Sequence, residues 1–122
     1  LMANDYLPKF KPGQAITRTA SATITAGQMV TVAGAVAIAD SVTFLGVAGR
    51  DAVTGQTMGV WCDGVQRLTA SAAIAAGDRV KCAAAGKIAT LTAGSDAYDR
   101  LVGIALEAAT ADGDVIAVKM AR

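Results

Sequence analysis

Thr19-Ala20-Ser21-Ala22-Thr23-Ile24-Thr25-Ala26-Gly27-Gln28-Met29-Val30 returns fifty positions later as Thr69-Ala70-Ser71-Ala72-Ala73-Ile74-Ala75-Ala76-Gly77-Asp78-Arg79-Val80. Eight of the twelve positions are identical. Alanine-rich chains match by chance, but an Ile and a Gly held at the same spacing exceed what composition explains. A weaker echo follows, with Gly46-Val47-Ala48 against Gly103-Ile104-Ala105 and Val60 against Val118. The chain therefore reads as two pseudo-repeated halves, about 14–64 and 65–122, forming one β-domain over residues 14–122. Residues 1–13 stand apart as an extended N-terminal arm.

Periodicity sets the fold class. Arg79-Val80-Lys81-Cys82 alternates polar and apolar, as does Ile116-Ala117-Val118-Lys119-Met120, the pattern of a half-buried strand. Gly27 and Gly77 precede such runs, where a turn needs tolerance of positive φ. Asp63-Gly64 is a hairpin-type dipeptide after Val60-Trp61-Cys62. Short strands broken by Gly, Asp and Ser predict an all-β fold, a small β-barrel or β-sandwich. Alanine's helix preference makes Ala70–Ala76 and Ala105–Ala111 the stretches where helix competes, and one helical turn fits Ser95–Arg100. Aligning the halves sets Met58, Val60 and Cys62 opposite Ile116, Val118 and Met120, all facing inward. Val30, Val32 and Val80 are expected to be buried with them, and Arg79, Lys81 and Lys119 to face outward. In that register Trp61 falls opposite Lys119, an outward position, which makes it a candidate interface anchor.

Composition removes most chemistries. The chain has 122 residues, is 53% hydrophobic but 4% aromatic, and carries eleven basic against ten acidic residues for a net charge of +1. Small apolar side chains fill thin layers between sheets and do not line a roomy pocket. No basic bias with stacking aromatics marks a nucleic-acid binder. With no histidine at all, the usual general base and commonest metal ligand are missing, and no enzyme is visible. Cys62 and Cys82 form neither a Cys-x-x-Cys pair nor a disulfide framework, and read as free thiols of a cytoplasmically folded protein unless their strands adjoin. Asp112-Gly113-Asp114 is only a fragment of a calcium loop. Thr19 to Ala39 is uncharged, yet its recurring Thr, Ser, Gly and Gln argue against a membrane helix. No cofactor is expected.

The arm holds both prolines, Pro8 and Pro12, with Lys9 and Lys11 beside them and the aromatics Tyr6 and Phe10. Proline favours extended geometry at itself and before it. Aromatics on such a segment suit docking, so Tyr6, Lys9, Phe10, Lys11 and Trp61 are the candidate protein-binding residues.

Met2-Ala3-Asn4-Asp5-Tyr6, Lys11-Pro12-Gly13, Ile24-Thr25-Ala26-Gly27, Gly46-Val47-Ala48 and Gly64-Val65 together resemble the capsid-cement, or head-decoration, proteins of tailed bacteriophages. The ending Val102-Gly103-Ile104-Ala105-Leu106-Glu107-Ala108-Ala109, then Gly113-Asp114-Val115-Ile116, is similar to that family's C-terminal signature. The resemblance implies a small structural β-domain on the outer surface of the virion, commonly a homotrimer. Such a protein would clamp neighbouring subunits of the major capsid protein, with no catalytic residue, nucleic acid or membrane involved. The halves are also similar to small β-clip binding modules and to tail or baseplate adaptors, a similarity that makes the expected fold β-clip-like.

Overall fold

A computed structural model describes residues 9–10 and 13–121. Nine strands occur among the described residues: β1 (Ile16–Thr19), β2 (Met29–Thr31), β3 (Phe44–Ala48), β4 (Thr57–Trp61), β5 (Val65–Thr69), β6 (Arg79–Cys82), β7 (Ile88–Thr90), β8 (Leu101–Ala105) and β9 (Val115–Met120). They form two sheets, in the orders β1-β4-β3-β2 and β5-β9-β8-β6-β7. Every named pairing is antiparallel. The fold is all-β, in the class the alternation predicts.

The Gly27 and Gly77 turns make the same bonds in both halves. Gly27 N–H donates to Ala48 O at 2.9 Å, and Gly77 N–H to Ala105 O at 2.8 Å. Both glycines have φ of 91°, the left-handed region that a Cβ disfavours. Ile24 bridges Ala52 as Ile74 bridges Ala109. The side chains of Gln28 and Asp78 each accept the N–H three residues earlier, from Thr25 and Ala75. Register shifts between Val30 and Thr31 in β2, and between Val80 and Lys81 in β6. The two turns thus share one pattern of backbone bonds.

The core repeats too. Ala20, Ile24, Val30, Ala48, Ala52, Met58 and Val60 cluster within the first half. Their alignment partners Ala70, Ile74, Val80, Ala105, Ala109, Ile116 and Val118 all belong to the larger cluster. That second cluster also takes Met29, Ala37, Phe44 and Val47 from the first half. Adjacent residues Met29 and Val30 are both fully buried. Because successive side chains in a strand point to opposite faces, β2 is walled by core on both sides.

Four expectations need correction or resolution. Val32 is not core: it is 49% exposed. The shift after Val30 breaks the alternation and β2 stops at Thr31, so Val32 sits in the next turn, its carbonyl accepting Arg18 Nε and Nη2 at 2.9 and 2.7 Å. Asp63-Gly64 is no hairpin turn, since β4 and β5 lie in different sheets and the dipeptide links them. Neither alanine-rich stretch is helical; the helical turn is a 3-10 one at Tyr98–Arg100. In the alanine-rich stretches the backbone bridges Ala70–Ile88 and Ile74–Ala109 outweigh alanine's helix preference. Cys62 and Cys82 form no disulfide; Cys62 is half-buried and Cys82 buried. Burial first, and the Asp63 charge second, push the Cys62 thiol up.

A charge cluster ties the halves. Lys81 Nζ lies 2.8 Å from both Asp40 Oδ1 and Asp96 Oδ1, and Arg100 Nη1 lies 2.9 Å from Asp96 Oδ1. Asp96 also accepts the Thr92 N–H at 2.8 Å. The Lys81 bond, then the Thr92 bond, lower the Asp96 pKa from 3.8 to about 2. A depressed folded-state pKa adds stability that is present above the unfolded pKa and lost as pH falls through the folded one. The thermal midpoint should therefore fall between pH 3.8 and about 2, and Asp96→Asn should flatten that fall while lowering the midpoint at neutral pH. An unchanged acid limb in the variant, followed by circular dichroism, would remove Asp96 from this role.

Candidate protein interface

The outer face of the second sheet is assembled by register. Val65 stands opposite Lys119, Lys119 opposite Ile104, and Ile104 opposite Arg79, so one row crosses β5, β9, β8 and β6. Directly opposed residues share a face. Their chain neighbours Val118 and Val80 are fully buried on the inner side, which turns this row outward. Arg67, opposite Ala117, adds a cation one step along. Val65 is 55% exposed, Ile104 36% and Tyr98 73%. Arg79, Tyr98, Leu101, Ile104 and Lys119 line a shallow hollow of ≈220 Å³.

The first half has the same row in different dress. Met29 stands opposite Val47, and Val47 opposite Trp61. Met29 and Val47 are buried in the core cluster shared with the second half, whereas Trp61 is 42% exposed. The Trp61 indole rests on Gly49, whose Cβ, if present, would lie 2.9 Å from Nε1. Trp61 thus faces outward, as alignment with Lys119 requires, at the end of a row otherwise covered.

Of the other candidates, Lys9 is exposed and Phe10 half-buried. Tyr6 and Lys11 lie outside the described residues. Gly13, the last residue of the expected arm, points its N–H at Asp63 Oδ2 at 3.4 Å, two residues beyond Trp61. Sequence reasoning places Arg79 and Lys119 outward but passes over Val65, Arg67, Tyr98 and Ile104 as interface residues. Carrying the half-to-half alignment onto the covered row would single out Ile104 and Arg79.

Carboxylates elsewhere are engaged in turns. Asp114 Oδ2 accepts the Thr110 N–H and hydroxyl, each at 2.8 Å, and these bonds with that of Ala111 hold its pKa down. Among the described residues no group of three His, Cys, Asp or Glu side chains is placed to hold a metal. No helix among them is long and apolar enough to cross a membrane. What the surface offers is shape, apolar contact and charge.

The sequence model of phage cement proteins matches residues 10–120. The chain belongs to the phage cement protein family. In three dimensions this cement-family chain is similar to the N base of the head fiber gp8.5 of bacteriophage phi29, with a TM-score of 0.68 and 17% identity, covering 88% of this chain and 92% of that one. At that identity the likeness establishes the fold. No curated protein matches the sequence. Family membership makes this cement protein a structural part of a phage head.

Proposed function

We propose that this protein decorates the outer surface of an assembled phage head and holds neighbouring subunits of the major capsid protein together, acting as a homotrimer. Membership of the cement family over residues 10–120 carries the reading. The open, apolar and basic face of the second sheet supports it, because such a face suits binding to another protein. A protein that binds only the expanded lattice stabilises that state by its differential affinity. Repetition over the shell lets modest single contacts add up. Each contact should bury on the order of 1,200–2,000 Å² in total. Purified protein should sediment with expanded shells and not with immature ones; equal binding to both would refute a lattice-specific cement.

The arm acts as an auxiliary clamp. Burying Tyr6 and Phe10 against a partner could contribute roughly 1.5–3 kcal/mol each before ordering costs. A chain starting at Gln14 should keep a nearly unchanged thermal midpoint yet bind expanded heads at least tenfold more weakly. Full affinity in the truncated protein would assign the arm no part in binding; loss of folding would assign it to the core.

A further inference from the structure

We propose that the row Val65–Lys119–Ile104–Arg79, with Arg67 and Tyr98, is the face that docks on the head, and that its occupant is a protein patch with carboxylates around an apolar centre. The inference deepens the decoration reading and rests on it.

Two observations carry it. The first is charge. Arg67, Arg79 and Lys119 share one sheet face, and among the described residues none of them makes an ion pair; the ion pairs formed there join Lys81, Lys87 and Arg100 to Asp40, Asp96 and Asp112. Glu107, just beyond β8, turns its Oε1 to the Ala117 N–H at 2.8 Å instead. Cations without internal partners, set among exposed Val65, Val115, Ile104 and Leu106, complement carboxylates around an apolar centre. Lys and Arg stems can add to that apolar contact while their charged ends reach the rim.

The second is continuity with an interface already in the molecule. The equivalent row of the first half, Met29–Val47–Trp61, is largely buried within the core that the two halves share. The same register in the second half is left uncovered, and Ile104 keeps an apolar residue at the row's middle. A second copy cannot cover it in the same way. The second-half core that covers Met29 and Val47 is already filled by them within each chain. With that mode of self-contact closed, the shell that the decoration reading supplies is the occupant proposed for this face. Nucleic acid fits less well, because exposed Val65, Val115, Ile104 and Leu106 would find no apolar surface to meet on a phosphate backbone.

The test uses the full chain, DNA-free expanded shells and a sedimentation assay at low and physiological salt. Arg79→Glu/Lys119→Glu should weaken binding at least thirtyfold, Arg79→Gln/Lys119→Gln about tenfold, and wild-type binding should weaken as salt rises. Arg50→Glu, a reversal on the first half, should bind within twofold of wild type. Thermal midpoints verify that each variant is folded, and the neutral pair keeps the test valid should the reversal unfold. Wild-type affinity in both paired variants overturns this face and leaves decoration standing. An equal loss in Arg50→Glu overturns it as well, leaving only general charge attraction. Tighter binding of the wild type to a short DNA duplex than to shells replaces the protein occupant with nucleic acid. Failure of the wild type to bind any shell overturns the decoration reading itself, and this face with it.

Discussion

Gly103→Ala should be among the most damaging single substitutions in the chain, costing on the order of 3 kcal/mol and lowering the thermal midpoint by about 10 °C or more. A Cβ there would run into the carbonyl oxygen of Lys119 on the neighbouring strand, with Val118 Cγ1 3.0 Å away. The obstacle is backbone, held by the β8–β9 ladder, so no rotamer change relieves it. Gly46→Ala should behave alike, since its Cβ would meet the Trp61 carbonyl oxygen and lie 3.0 Å from Val60 Cγ1. Both glycines sit at the same register, opposite Val80 and Val30, just where each sheet shifts. Glycine inside a strand marks such close backbone approach. Gly59→Ala is the internal control: its Cβ would come no closer than 3.3 Å, to the Ala15 methyl, which can give. Differential scanning calorimetry of the three variants checks this. A Gly103→Ala protein melting with Gly59→Ala would mean that β8 and β9 are not this close.

Val118→Ala and Val80→Ala should each cost on the order of 1–3 kcal/mol through lost burial and a partial cavity. Both side chains are fully buried, as are their counterparts Val60 and Val30. Val60→Ala and Val30→Ala should therefore fall in the same range, while Val32→Ala should cost much less because Val32 is 49% exposed. Urea midpoints measure all five at constant m-value. Unchanged midpoints for Val80→Ala and Val118→Ala together would contradict the register on which both the core and the docking face depend.

Strands with clean alternation are legible in the amino-acid pattern alone. Arg79–Cys82 and Ile116–Met120 are strands with the expected inward residues, and Trp61 faces outward as its alignment with Lys119 requires. Val32 is misplaced by that pattern because a register shift leaves no trace in it: the alternation simply continues past the residue where pairing stops. Asp63-Gly64 misleads for a related reason. A turn dipeptide reports local φ, and Gly64 does have φ of 77°, but nothing local says whether the next strand returns to the same sheet. The docking face lies deeper. Ile104 and Arg79 look like an ordinary solvated surface until alignment with Val47 and Met29 shows that the equivalent row is covered.

The most direct test of the cement reading is a cryo-EM reconstruction of expanded heads incubated with the purified protein. Added density is expected for a two-sheet body on the outer surface, bridging adjacent major-capsid subunits, with the Arg79–Lys119 face toward the shell. Density confined to one capsid subunit, lying inside the shell, or absent at saturating protein would contradict it.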